Sequence, residues 1–228
     1  MSSQLLKFTT NPVKAINVGK NQFQQIDLST FSGNSFVFKL RPGVKLNLTQ
    51  TAVRPRDVQI ELGEKSLLNY FVEFKYSDSA INNSITIKLN GAEAEVNLNM
   101  VVIGRAQGKA ALKVKLEHLA ASTKGRIQIR RLQYDASQSE IKGLLFIGPR
   151  GTGTDTYLSD KSLLIGERSQ ALSVPQLEIK TNNVKASHGA AIGHISPEGL
   201  FYLQSRGLSG AKAIKYLSQA FIAPALRK

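Results

Sequence analysis

Glu-Val-Asn-Leu-Asn-Met (95–100), Ala-Leu-Lys-Val-Lys-Leu (111–116) and Arg-Ile-Gln-Ile-Arg (126–130) alternate apolar with polar residues. A period of two sends successive side chains to opposite faces of an extended chain, so each stretch is a strand with one buried and one wet face. The pattern continues outward in both directions. Upstream lie Ser-Phe-Val-Phe-Lys (35–39), Val-Lys-Leu-Asn-Leu (44–48), Asp-Val-Gln-Ile-Glu-Leu (57–62), Phe-Val-Glu-Phe-Lys (71–75) and Ser-Ile-Thr-Ile-Lys-Leu (84–89). Downstream come Glu-Ile-Lys-Gly-Leu-Leu-Phe-Ile (140–147), Lys-Ser-Leu-Leu-Ile (161–165) and Gln-Leu-Glu-Ile-Lys (176–180). The intervals leave no room for crossover helices, which excludes a doubly wound α/β fold. Turn chemistry fills them instead: Arg-Pro-Gly-Val (41–44), Asn-Gly (90–91) and Gly-Pro-Arg-Gly-Thr-Gly (148–153).

Sandwich, barrel and parallel solenoid all fit many short strands. Only Asn90-Gly91 suits a two-residue type I′ hairpin turn, where an antiparallel meander would want several. Periodicity leaves the β-helix and its rivals evenly matched.

The 228 residues are enough for a sizeable core, and 42% hydrophobic content argues against wholesale disorder. No apolar run reaches membrane-spanning length, and the opening Met-Ser-Ser-Gln-Leu-Leu-Lys-Phe-Thr-Thr (1–10) lacks the apolar core of a signal peptide, so a cytoplasmic protein is expected. The absence of cysteine rules out disulfides, thiolate nucleophiles and thiolate-ligated metal within the chain. Three histidines (His118, His188, His194) without zinc-type spacing make a self-contained zinc site improbable. Thirty Lys and Arg against 16 Asp and Glu give +14, a field that attracts polyanions of any kind. Ten of the basic residues fall between Arg105 and Arg150, interleaved with apolar ones. That spacing suits a solvated sheet face, and no aromatic pair sits within a basic strand as a base-stacking platform. A basic β-solenoid that binds nucleic acid or another polyanion is the alternative functional reading.

After residue 195 the period changes. Ser196 is placed to cap a helix with Pro197 in its first turn, and Gly207 to end it. A second helix from Ser209 would gather Ala213, Ile214, Leu217, Ala220 and Phe221 on one face and stop at Pro224. Such a pair either caps the stack or docks another protein. The expected division is therefore a β core over 1–195 and a helical segment over 196–228.

Local chemistry is sparse. Gly-Pro-Arg-Gly-Thr-Gly-Thr (148–154) resembles a phosphate cradle only faintly, because no Gly-Lys-Ser/Thr opens a helix behind it; a tight corner is the better reading. Asp155, Asp160 and Glu167 show no acid–base pattern. His188, in Lys-Ala-Ser-His-Gly-Ala (185–190), is either structural or a single ligand to a metal shared with a partner.

Several longer stretches carry a resemblance. Gly-Leu-Leu-Phe-Ile-Gly-Pro-Arg-Gly-Thr-Gly-Thr-Asp-Thr-Tyr-Leu-Ser-Asp-Lys-Ser-Leu-Leu-Ile (143–165), Pro-Gln-Leu-Glu-Ile (175–179), Val-Lys-Ala-Ser-His-Gly-Ala (184–190) and Leu-Phe-Tyr-Leu-Gln-Ser-Arg-Gly (200–207) resemble the C-terminal core of the SufB/SufD family of the SUF iron–sulfur cluster assembly machinery. His-Leu-Ala-Ala-Ser-Thr-Lys-Gly-Arg (118–126) agrees more loosely. The resemblance implies a right-handed parallel β-helix followed by C-terminal helices, and a subunit with no turnover of its own. It implies pairing with a SufB-like chain, or with a second copy, through the β-helix edge. It further implies docking of a SufC-like ATPase by Leu200, Phe201, Tyr202, Arg206 and the second helix, including Ile214, Leu217 and Phe221. Membrane and nucleic acid are not among the implied partners.

The resemblance leans toward SufD. The SufB-type cysteine falls on Asp160, and the SufB-type glutamate after the histidine falls on Gly189. Ser-His-Gly (187–189) matches the SufD pattern, which makes His188 a cluster-assembly residue by analogy. Alone, the chain is expected to bind no cofactor; a transient Fe–S cluster would need thiolates from a cysteine-bearing partner. Typical members are longer and carry an N-terminal helical region that has no counterpart in this reading.

Overall fold

The computed structural model describes residues 14–19, 23–52 and 56–226. Fourteen strands precede two helices. In chain order the strands are β1 (Lys14–Val18), β2 (Phe23–Asp27), β3 (Ser35–Leu40), β4 (Lys45–Ala52), β5 (Asp57–Leu62), β6 (Leu67–Tyr76), β7 (Ala80–Leu89), β8 (Glu95–Gly104), β9 (Lys109–His118), β10 (Lys124–Gln133), β11 (Gln138–Ile147), β12 (Asp155–Leu164), β13 (Gln170–Ile179) and β14 (Lys185–His194). The helices are α1 (Pro197–Ser205) and α2 (Gly210–Leu226). Odd strands form one seven-stranded parallel sheet, β1-β3-β5-β7-β9-β11-β13, and even strands the other. No strand pairs with its sequence neighbour. Each coil contributes one strand to each sheet and then climbs one rung, which makes the core a parallel β-helix. This settles the choice that periodicity left open, and residues 1–10 lie outside the described residues.

The period of two now has a cause. Alternate side chains enter the space between the sheets and stack in columns along the rungs. One column runs Leu48, Tyr70, Leu98, Ile127, Leu158 and His188 by strand register. Its members from Leu48 to Leu158 are essentially inaccessible, and burying each such side chain contributes roughly 1.5–3 kcal/mol. In the facing sheet the column is Val18, Leu40, Leu62, Leu89, His118, Ile147 and Ile179.

Corners between odd and even strands share one geometry. Gly43, Lys65, Glu93, Ser122, Gly153 and Asn183, each two residues before an even strand, all have positive φ. Stacked corners bond to each other, as in Lys65 N–H to Ala92 O (2.9 Å) and Ser122 N–H to Thr152 O (2.8 Å). Asn90-Gly91 belongs to such a corner and not to a hairpin, since β7 pairs with β5 and β9. Gly91 is needed for close approach: a Cβ there would lie 2.0 Å from the Glu64 nitrogen.

The helices begin as the sequence predicts. Ser196 Oγ accepts from Gly199 N–H (3.0 Å), and Gly207 adopts φ +88°. The expected stop at Pro224 is not observed, because α2 runs to Leu226. Proline forfeits one hydrogen bond to the preceding turn, and with only two helical residues beyond it the final turn tolerates that loss. None of the described helices is long and apolar enough to cross a membrane.

Candidate functional site

Among the described residues no further rung covers the last coil, β13 and β14. β13 and β14 are edge strands, each with one row of backbone groups facing no neighbour. Pro175 is tolerated in β13 for that reason. His188 occupies the core-facing register above Leu158, yet it is exposed. Ile192 (46% exposed) and Ile179 (42% exposed) also occupy core columns and face solvent. The open end therefore presents two large aliphatic side chains, an imidazole and two unpaired strand edges.

Just beneath it the interior turns polar. Arg131 on β10 and Asp160 on β12 are both fully buried. The guanidinium forks onto the carboxylate, with Nε to Oδ1 at 3.0 Å and Nη2 to Oδ2 at 2.8 Å. Its Nη1 donates to Ser139 O, Ser139 Oγ and Leu172 O at 3.0–3.2 Å, which ties the even sheet to β11 and β13. Ser173 Oγ donates to Asp160 Oδ2 at 2.6 Å. Every strong acceptor of the carboxylate is engaged, so Asp160 is a structural anchor and no free ligand. Asp155, by contrast, lies on the surface beside Arg126 (2.9 Å), which holds its carboxyl below the usual range. Among the described residues no cluster of three or more His, Asp or Glu could hold a metal ion.

The three histidines occupy different environments. His118 is fully buried between Leu89 and Ile147, with Nδ1 2.8 Å from Thr123 Oγ1. Burial lowers its pKa to about 4, so it is neutral at physiological pH. His188 and His194 are exposed on β14. The corner at 148–154 joins β11 to β12, with Gly151 N–H bonded to Gly148 O (2.9 Å) and no helix behind it.

The C-terminal helices divide the residues expected to dock a partner. α2 lies along the side of the stack, not across its end. Ile214, Leu217 and Phe221 are half-buried, and Phe221 covers the Arg130 guanidinium at 5.4 Å. Tyr134 Oη is 3.1 Å from Ser218 Oγ, and α2 packs on β8 and β10, the strands that carry the buried Val101 and Leu132. α1 has no buried residue. Leu200 is partly covered, whereas Phe201 (72% exposed) and Tyr202 (58% exposed) face solvent, with Arg206 stacked over the Tyr202 ring at 5.4 Å. The sequence reading did not single out Arg131 or the exposed Ile179 and Ile192. A lone Arg within an apolar alternation at 131 is the one signal that could have found the first.

Residues 44–221 match the family model for the SufBD core domain of SUF-system FeS cluster assembly. The chain belongs to the SufBD family. It is 27% identical over 150 residues to the iron–sulfur cluster assembly protein SufD of Escherichia coli, covering 66% of this chain and 36% of that protein. It is 27% identical over 156 residues to SufB of Bacillus subtilis, covering 66% and 33%. An iron–sulfur cluster assembly SufBD family protein of Archaeoglobus fulgidus is 29% identical over 188 residues, covering 76% and 46%. The chain thus spans between a third and a half of the length of these SufBD relatives.

Proposed function

We propose that this chain is a SufD-like scaffold subunit of iron–sulfur cluster assembly, with no turnover of its own. The observation that carries the reading is the uncovered last coil of a SufBD core, where His188 stands among exposed aliphatic side chains and unpaired strand edges. Such an edge is a template for another chain, and pairing there would bury Ile179 and Ile192 while satisfying the free backbone groups. The partner we propose is a cysteine-bearing SufB-like chain. Without cysteine, this subunit offers a nascent cluster only imidazole, so the thiolates must come from across the interface. The cluster is cargo of the assembled pair. One ring nitrogen of His188, Nδ1 or Nε2, would supply one ligand at that seam.

The exposed aromatic face of α1 is proposed to dock a SufC-like ATPase. Phe201 and Tyr202 supply large apolar area with little conformational entropy to lose, and α2 anchors the pair to the stack. Co-expression with cognate SufB-like and SufC-like proteins tests both contacts. Co-purification of all three, with loss of the SufB-like chain on Ile192→Glu and loss of the ATPase on Phe201→Ser/Tyr202→Ser, supports the reading. A chain that associates with neither overturns it.

A further inference from the structure

Away from both surfaces, the outer face of the even sheet holds a groove of about 810 Å³, within the range of small-molecule sites. Strand register sets its walls. Asn47, Asn69 and Asn97 stand side by side on β4, β6 and β8, and their amides form a ladder, Asn69 Nδ2 to Asn47 Oδ1 at 3.0 Å and Asn97 Nδ2 to Asn69 Oδ1 at 3.1 Å. Phe71 lies in the adjacent row. At the other end, Arg130 on β10 and Lys161 on β12 are direct register partners.

These two cations are unusual in their surroundings. Arg130 is only 9% exposed, covered by Phe221 of α2, and its Nε has no partner. With the Gln128 amide oriented to satisfy its neighbours, one Arg130 Nη donates to Gln128 O at 3.2 Å while the Gln128 nitrogen donates to Pro224 O at 3.0 Å. No carboxylate among the described residues pairs with Arg130 or with Lys161. The nearest in the same row by register, Glu73, is two strands from Arg130 and bonded to Lys75 at 2.9 Å. Asp155 is held by Arg126. A buried guanidinium without a counter-ion is costly, in contrast to its neighbour Arg131, which points inward onto Asp160.

We infer that this groove binds a small organic phosphate, with the phosphate on Arg130 and Lys161 and the uncharged body along the Asn47–Asn69–Asn97 ladder and Phe71. Two adjacent cations match a phosphate monoester, which carries close to two negative charges at neutral pH, better than a single carboxylate. The planar guanidinium and the ammonium are the two side chains suited to phosphate oxygens. A polyanion would want cations along the whole groove. Here the rows on β4, β6 and β8 carry amides, a hydroxyl and an aromatic ring, so the charge is confined to one end.

The test is titration calorimetry of the intact chain with pyrophosphate, AMP and adenosine. The expected result is binding of pyrophosphate and AMP, none of adenosine, and a loss of about tenfold or more in affinity in Lys161→Gln, whose side chain is exposed and whose replacement leaves folding intact. Asn69→Leu should weaken AMP while sparing pyrophosphate. Failure of both anions at millimolar concentration overturns the inference, as does binding that Lys161→Gln leaves unchanged. Preference for an acidic peptide or an oligonucleotide over AMP overturns it equally. None of these outcomes depends on pairing at the open end, so this inference and the scaffold reading fail separately.

Discussion

Leu98 and His188 stand in one column of the even sheet, three rungs apart, and they play opposite parts. Leu98 is sealed between Tyr70 and Ile127, whereas His188 has Leu158 below it and solvent above. In this column the middle of the stack is closed and filled by hydrophobic side chains. From β10 to β13 the interior admits Arg131, Ser139, Asp160 and Ser173 beside the buried Ile141, Leu145, Ile147 and Leu158, and at β14 the column ends in solvent. The difference teaches that stability resides in the middle coils and recognition at the end, joined by one buried ion pair.

Breaking that pair should have the largest effect. Asp160→Ala strands the Arg131 charge in the interior, and we expect a loss of about 3–5 kcal/mol in urea unfolding. The double variant Arg131→Met/Asp160→Leu should recover most of it, since apolar replacements of similar volume are often neutral. Leu98→Ala should cost about 2–5 kcal/mol through lost burial and the cavity left behind. His118 sharpens the same contrast through pH. Its folded pKa of about 4 lies below the unfolded value, so the unfolded chain binds the proton more readily in between. Stability from this residue is complete above about pH 6.5, falls by about 3 kcal/mol as pH drops toward 4, and is flat below. A His118→Leu variant should lack that component of the unfolding profile.

The smallest expected effects on folding belong to the recognition end. Phe201→Ser/Tyr202→Ser should shift stability by no more than about 0.5 kcal/mol while weakening ATPase binding by roughly tenfold or more. His188→Ala should likewise stay within about 0.5 kcal/mol in the isolated chain, yet reduce cluster yield in the reconstituted complex.

Most strands were legible because burial of alternate residues leaves a period of two, and the middle coils bury them completely. The exceptions have physical causes. β14, Lys-Ala-Ser-His-Gly-Ala-Ala-Ile-Gly-His, carries no alternation because no rung covers its inner face. β1 and β2 have five residues each, too few to set a pattern. The corners escaped notice because Lys65, Glu93, Ser122 and Asn183 adopt the left-handed conformation where glycine would have signalled it. Stacked hydrogen bonds between corners hold those residues there. The helix start at Ser196 was legible from capping chemistry alone, but the side of the stack that α2 covers was not. That choice rests on Phe221 over Arg130 and on Val101 and Leu132, four positions whose proximity only the coil register creates. The site residue His188 could be singled out by resemblance, whereas its exposure follows from its being the last member of a column.

The open end is the centre of the account, and pairing there can be measured directly. Mixing the purified chain with its cognate cysteine-bearing SufB-like protein and weighing the product by native mass spectrometry should yield a one-to-one complex that Ile192→Glu abolishes. A mixture that stays as separate chains, or a complex indifferent to Ile192→Glu, would contradict it.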